Sequence, residues 1–103
     1  KIGAMFTYPA VSICDPTYTF SVSKYQTAAG SADIMSHIME GYFSRTDDCD
    51  ISDGIAETVL KTVINNLPLA LREPDNYTAR GNLMMAPAYL STESKAQAGH
   101  VMA

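Results

Sequence analysis

Between residues 51 and 71 the apolar side chains return with a helical period, and this feature constrains the chain more than any other. Ile51, Ile55, Val59, Val63 and Leu67 follow one another at four-residue steps, with Leu60, Ile64 and Leu71 alongside. Only a helix gathers such residues on one side, and a stripe about a hundred degrees wide has to be buried. The polar stretch before it, Arg45 to Asp50, places carboxylates at the positive end of that helix dipole. Asn65-Asn66-Leu67-Pro68 interrupts the pattern and predicts a kink or restart, because proline is tolerated only in the first turn. Glu73-Pro74-Asp75 closes the segment.

Two further helices flank this one. Over residues 24–44, Ile34, Ile38 and Tyr42 recur at i, i+4 and i+8, and Met35 and Met39 widen the stripe. Gly30-Ser31 predicts a break there, with Ser31 or a neighbour capping the second piece. A third helix is expected over roughly 76–92, capped by Asp75 or Asn76. Gly81 and Pro87 cost it ~1 and ~3 kcal/mol relative to alanine, which predicts a bend or stop near Ala86. The tail from Ser91 to Ala103 is weakly patterned. Ahead of the helices, Ala10 to Cys14 reads as a short strand ended by the turn signal Asp15-Pro16, and Tyr18 with Phe20 reads as a second extended stretch. A lone strand has no backbone partner, so its sheet has to come from residues 1–8, another copy or a missing portion. The expected fold is mainly α, three or four helices with one short N-terminal β segment.

Composition narrows the function. At 47% hydrophobic and 17% charged residues the chain is too apolar for a disordered segment. Its seven Lys and Arg are scattered and its net charge is -4, which excludes a nucleic-acid binder. No apolar run approaches the roughly 20 residues that span a bilayer, so no membrane partner is expected. Residues 1–9 carry no apolar stretch of the signal-peptide kind. The chain begins with Lys1 rather than Met, as a processed, trimmed or partial product does. Cys14 and Cys49, with 34 residues between them, fit no CxxC pair. They read as two thiols of a reducing cytoplasm, with a single disulfide as the alternative. The six glycines are too widely spaced to build a phosphate-cradling loop.

Asp33 and His37 stand at i and i+4, so a helix puts both on one face about a turn apart. An oxygen and an imidazole nitrogen so placed can share one divalent cation. An ordinary surface contact has the same spacing. Glu40, a turn beyond, can bond to a ligand side chain or stand in solvent. Ser31, Ser36 and Ser44 have no histidine and acid partners for a nucleophilic triad.

The order of motifs around this pair resembles the iron-containing alcohol dehydrogenase family, especially its NADPH-dependent butanol dehydrogenase branch. That family's helical domain opens with T-A-x-G-x-x-D-x-x-x-H-x-x-E-x-Y, here Thr27, Ala28, Gly30, Asp33, His37, Glu40 and Tyr42. A second run, E-P-x-N-Y-x-A-R-x-N-x-M, is matched by Glu73, Pro74, Asn76, Tyr77, Ala79, Arg80, Asn82 and Met84. The similarity covers residues 9–85. It departs from the family at Ser23, Met85 and Pro87, where the family has a proline, an aromatic and a small residue, and several residues are missing between Met85 and His100.

The resemblance implies that residues 1–23 are a strand and linker left from a nucleotide-binding domain. Residues 24–103 are then a truncated helical metal-binding domain. Asp33 and His37 become the first two ligands of a divalent metal, iron or zinc. His100, in Gly99-His100-Val101-Met102, becomes the candidate third, and the family's fourth ligand falls beyond Ala103. Tyr18 becomes a residue of the cofactor cleft. The family transfers hydride between NAD(P)H and the carbonyl of a small aldehyde. Its glycine-rich motifs would lie upstream of Lys1, so the isolated chain is not expected to turn over. The alternative is a diverged, non-catalytic helical module that covers its apolar surface by self-association as a homo-oligomer.

Overall fold

The computed structural model of the chain describes residues 3–43 and 49–101, with side chains described as far as residue 89. Three helices carry the fold: α1 over Lys24–Tyr42, α2 over Asp50–Arg72 and α3 over Tyr77–Val101. Two short 3₁₀ turns, Met5–Thr7 and Pro16–Thr19, precede them.

Each helix begins where its sequence offers a cap. Ser23 Oγ accepts from the backbone N–H of Gln26 at 3.2 Å and starts α1. Asp50 and Asp53 lie in the first turn of α2 and Arg72 in its last, both favourable to the dipole. Asn76 Oδ1 accepts from the N–H of Ala79 at 3.0 Å, and Asn76 Nδ2 donates to Glu73 Oε2 at 2.8 Å. Of the two caps expected for α3, Asn76 is therefore the one used.

Several sequence expectations are corrected. α1 runs unbroken through Gly30, and Ser31 is buried on its inner face rather than capping a new piece. α2 stays helical through Pro68, so no restart occurs there, and Val63 before it and Ala70 after it are both fully buried in one core. The backbone of α3 stays helical across Pro87 as far as Val101. In both helices packing and continuity outweigh a propensity cost of about 3 kcal/mol. The expected β segment at Ala10 to Cys14 is not a strand, and no strand occurs among the described residues. Val11 and Ile13 are exposed, and among the described residues no second strand pairs with them. Tyr18 stands in the second 3₁₀ turn instead of an extended stretch. Asp15 Oδ1 nucleates that turn by accepting from both the N–H (3.0 Å) and the hydroxyl (2.7 Å) of Thr17. These bonds hold the Asp15 carboxyl below its usual pKa.

The core gathers Ile38 from α1, Ala56, Val59, Val63 and Ala70 from α2, and Ala79, Leu83 and Ala86 from α3. Four of these eight are alanines, which lets the helix backbones approach closely. The α2 residues follow mixed steps of three, four and seven, the true period of a buried helix face. The four-residue line picked out in the sequence drifts about 40° per step, so its first member, Ile51, ends up 81% exposed. The second 3₁₀ turn is seated on α3, where Pro16 is buried and its Cγ lies 3.4 Å from where a side chain on Gly81 would begin. At that separation an alanine methyl would be in ordinary van der Waals contact with the ring, and only a larger side chain at position 81 would disturb the seat.

Arg80 ties the layers together. It is only 4% exposed, and its Nη1 donates to Thr27 Oγ1 at 2.7 Å while Nε donates to the Pro74 carbonyl at 2.9 Å. One side chain on α3 thus joins the second turn of α1 to the turn after α2.

Val63→Ala is expected to cost about 2 kcal/mol by urea denaturation, and Ile51→Ser to stay within about 0.5 kcal/mol. Thr27→Val, which strands a buried guanidinium N–H, is expected to cost about 1–3 kcal/mol in the same measurement.

Candidate metal centre

With Thr27, Ser31 and Ile38 turned inward, α1 carries Asp33 and His37 on its outer side. Asp33 Oδ1 and His37 Nε2 are 3.6 Å apart, with side chains 73% and 58% exposed. This is too long for a hydrogen bond. Two atoms each about 2.1 Å from one ion, at angles of roughly 90–109°, stand about 3.0–3.4 Å apart. A small side-chain rotation closes the difference, so the pair fits as two members of a ligand set. Among the described residues no group of three or more His, Cys, Asp or Glu comes together. Asp33 and His37 are thus joined by no third such side chain among the described residues. His100 is on the final turn of α3, and its side chain lies outside the described residues.

Glu40, one turn past His37, is exposed. On the other side of the helix, toward the core, Tyr42 donates its phenol to Glu57 Oε1 at 3.0 Å, linking α1 to α2. That bond and the Glu57 charge, with burial and the Asp53 charge adding, push the phenol pKa above the usual 10.0. Tyr18 is 82% exposed on the second 3₁₀ turn.

Two depressions flank these elements. A pocket of about 220 Å³ lies between the second 3₁₀ turn, α1 and α3, with Val22, Gly30, Ile34 and Leu83 in its wall. A larger groove of about 580 Å³ runs between α2 and α3 and is lined by Ile51, Ile55, Val59, Met85 and Tyr89 among others. Neither was anticipated in the sequence. The drifting apolar line of α2 was the signal for the groove, because its early members turn away from the core. Arg80 was recognised only as part of a motif; nothing local to it announces that it would be buried. Cys14 is exposed, and it forms no disulfide with Cys49.

Residues 27–102 match the sequence pattern described as the Fe-containing alcohol dehydrogenase family, C-terminal. NADH-dependent butanol dehydrogenase A of Clostridium acetobutylicum is 54% identical over 78 residues, 76% of this chain and 20% of that protein. NADPH-dependent aldehyde reductase YqhD of Escherichia coli is 40% identical over 78 residues, with the same two shares. Among solved structures, the substrate- and cofactor-free form of that aldehyde reductase superposes with a TM-score of 0.69 at 39% identity, over 73% of this chain and 20% of its own. The chain therefore belongs to the Fe-containing alcohol dehydrogenase family. It spans about a fifth of the length of the curated relatives it matches.

Because the folded phenol of Tyr42 holds its proton more tightly than an unfolded one, its contribution to stability is complete below about pH 10 and fades as pH rises through the folded pKa. Tyr42→Phe is expected to flatten that alkaline loss in urea titrations between about pH 9 and pH 11.

Proposed function

We propose that this chain is the metal-holding part of an NAD(P)H-linked alcohol and aldehyde oxidoreductase. The observation that carries the reading is the Asp33–His37 pair at 3.6 Å on the exposed side of α1, in a chain whose relatives are named for butanol dehydrogenation and aldehyde reduction. Asp33 would place a full negative charge against a divalent ion and His37 a neutral nitrogen lone pair, a set that accepts iron or zinc. His100 is the proposed third ligand. When bound, the ion supplies Lewis-acid polarisation of a carbonyl oxygen. The two residues of α1 fix where that oxygen sits.

In this reading residues 1–23 belong to the nucleotide-binding side of the protein, with Tyr18 facing the cofactor, and residues 24–103 to the helical metal-binding domain. The 103 residues contain no glycine-rich phosphate loop, so the purified chain by itself does not reduce an aldehyde. A reducing, cytoplasmic setting belongs to the same proposal and is supported by two cysteines not joined to each other. A second reading, a non-catalytic module that self-associates, is favoured by one observation: Phe6, Val11 and Ile13 leave a run of apolar surface uncovered along the N-terminal segment.

Calorimetric titration of the chain with Zn²⁺ or Co²⁺ is expected to show one ion bound. Asp33→Ala or His37→Ala should weaken binding by roughly tenfold or more, and the double variant should abolish it. A parent chain that binds neither metal would remove the proposal. Light scattering decides the second reading: a strict monomer at high concentration excludes it. The chain is further expected to show no oxidation of NADH or NADPH with butyraldehyde, and turnover would refute the claim that it is inactive alone.

A further inference from the structure

The pocket of about 220 Å³ between the second 3₁₀ turn, α1 and α3 has a buried charge in its wall. Arg80 lines it from α3 at 4% exposure, and Ser31 lines it from α1 at 3%. A guanidinium carries five N–H donors. Arg80 spends two of them, one on Thr27 Oγ1 and one on the Pro74 carbonyl, and among the described residues no further acceptor meets it. The Ser31 hydroxyl has no hydrogen-bond partner among those residues either. No aspartate or glutamate stands in the wall, and no ion pair to Arg80 forms among the described residues. Burying a charge without a counter-charge is costly. Positive charge and unspent donors thus face the same small space. Val22, Ile34, Leu83 and Met84 give that space an apolar side.

We propose that this pocket binds a short aliphatic carboxylate, its head on Arg80 with Ser31 beside it and its alkyl tail against Ile34, Leu83 and Met84. The site is separate from the Asp33–His37 pair, neither member of which lines the pocket, and it does not rest on the metal reading. A planar carboxylate matches the fork of a guanidinium, and both of its oxygens accept. Phosphate or sulfate would bring further charged oxygens against apolar side chains. The volume lies below the roughly 300–1,000 Å³ of sites for drug-sized ligands, which limits the tail to a few carbons. Thr27 stays on Arg80 throughout, because the acid uses donors that the fold leaves over.

The test is an NMR titration of the full chain with sodium butyrate, butyramide, sodium acetate and sodium chloride at equal ionic strength. EDTA is present, so that no metal ion takes up the carboxylate. Butyrate is expected to shift the Arg80 Nε–H and the Ile34 and Leu83 methyls in a saturable way, one molecule per chain. Butyramide, which keeps the shape and loses the charge, should bind at least roughly tenfold more weakly. Acetate should bind more weakly than butyrate for want of a tail. Ser31→Ala leaves the guanidinium in place and should weaken butyrate severalfold. Gly30→Leu puts a side chain into the pocket from α1, where a Cβ meets nothing within 4 Å, and should abolish the response without touching Arg80. The same shifts with chloride, equal binding of butyramide, or an unchanged butyrate response in Gly30→Leu overturn the proposal, as does no response in the parent chain. Asp33→Ala should leave butyrate binding unchanged; loss of binding in that variant would move the carboxylate to the metal pair and overturn this site.

Discussion

A buried guanidinium organises this small helical domain. Arg80 has surrendered nearly all contact with water, and among the described residues no carboxylate faces it. Its charge is met by the hydroxyl of Thr27 and the carbonyl of Pro74. Hydrogen bonds from a charged donor are stronger than neutral ones, and the planar fork of arginine serves two acceptors in fixed directions. A lysine ammonium would reach one of them and leave the other unbonded. The acceptors belong to the second turn of α1 and to the connection after α2, so the three elements are indexed against one another by a single side chain. Once Thr27 is held inward, helix geometry turns Asp33 and His37 outward. The orientation of the candidate site is thus a consequence of packing about two turns away.

The helices themselves were legible, because amphipathic periods and caps are local signals. Ser23, Asn76 and the acidic first turn of α2 act as capping chemistry predicts. What misled was punctuation. Gly30, Pro68 and Pro87 each predict a break, restart or stop from propensity, and the chain stays helical through all three. The core contacts of Val63 and Ala70 bracket Pro68, and the burial of Thr27 and Ser31 secures α1 up to Gly30. Propensity terms are a few kcal/mol at most, and a shared core can exceed them. The N-terminal strand failed for the opposite reason. Its β-branched residues are real, but a strand exists only with a neighbour, and the described chain offers Ala10 to Cys14 none.

At the candidate site, the spacing of Asp33 and His37 already contained their proximity, since four residues in a helix bring two side chains together whatever else the chain does. Spacing could not say whether a third donor converges on them, because that depends on tertiary placement. The groove between α2 and α3 was hidden for a related reason. Counting every fourth residue follows a line that winds slowly around the helix, so Ile51 and Val63 looked equivalent in sequence and stand on different sides in space. The ordered motifs gave what periodicity could not: a family resemblance that the matching of residues 27–102 bears out.

The seat of Pro16 on α3 has a mechanical consequence. Before α1, the chain is anchored by one proline ring resting where Gly81 has no side chain, beside a turn stapled by Asp15 and Thr17. The segment ahead of it, through Ile13, rests largely in solvent. Whatever precedes Pro16 in space is therefore coupled to the helical layer through a narrow fulcrum rather than a broad interface. A side chain larger than a methyl at Gly81 would have to displace that ring, whereas a methyl would only touch it.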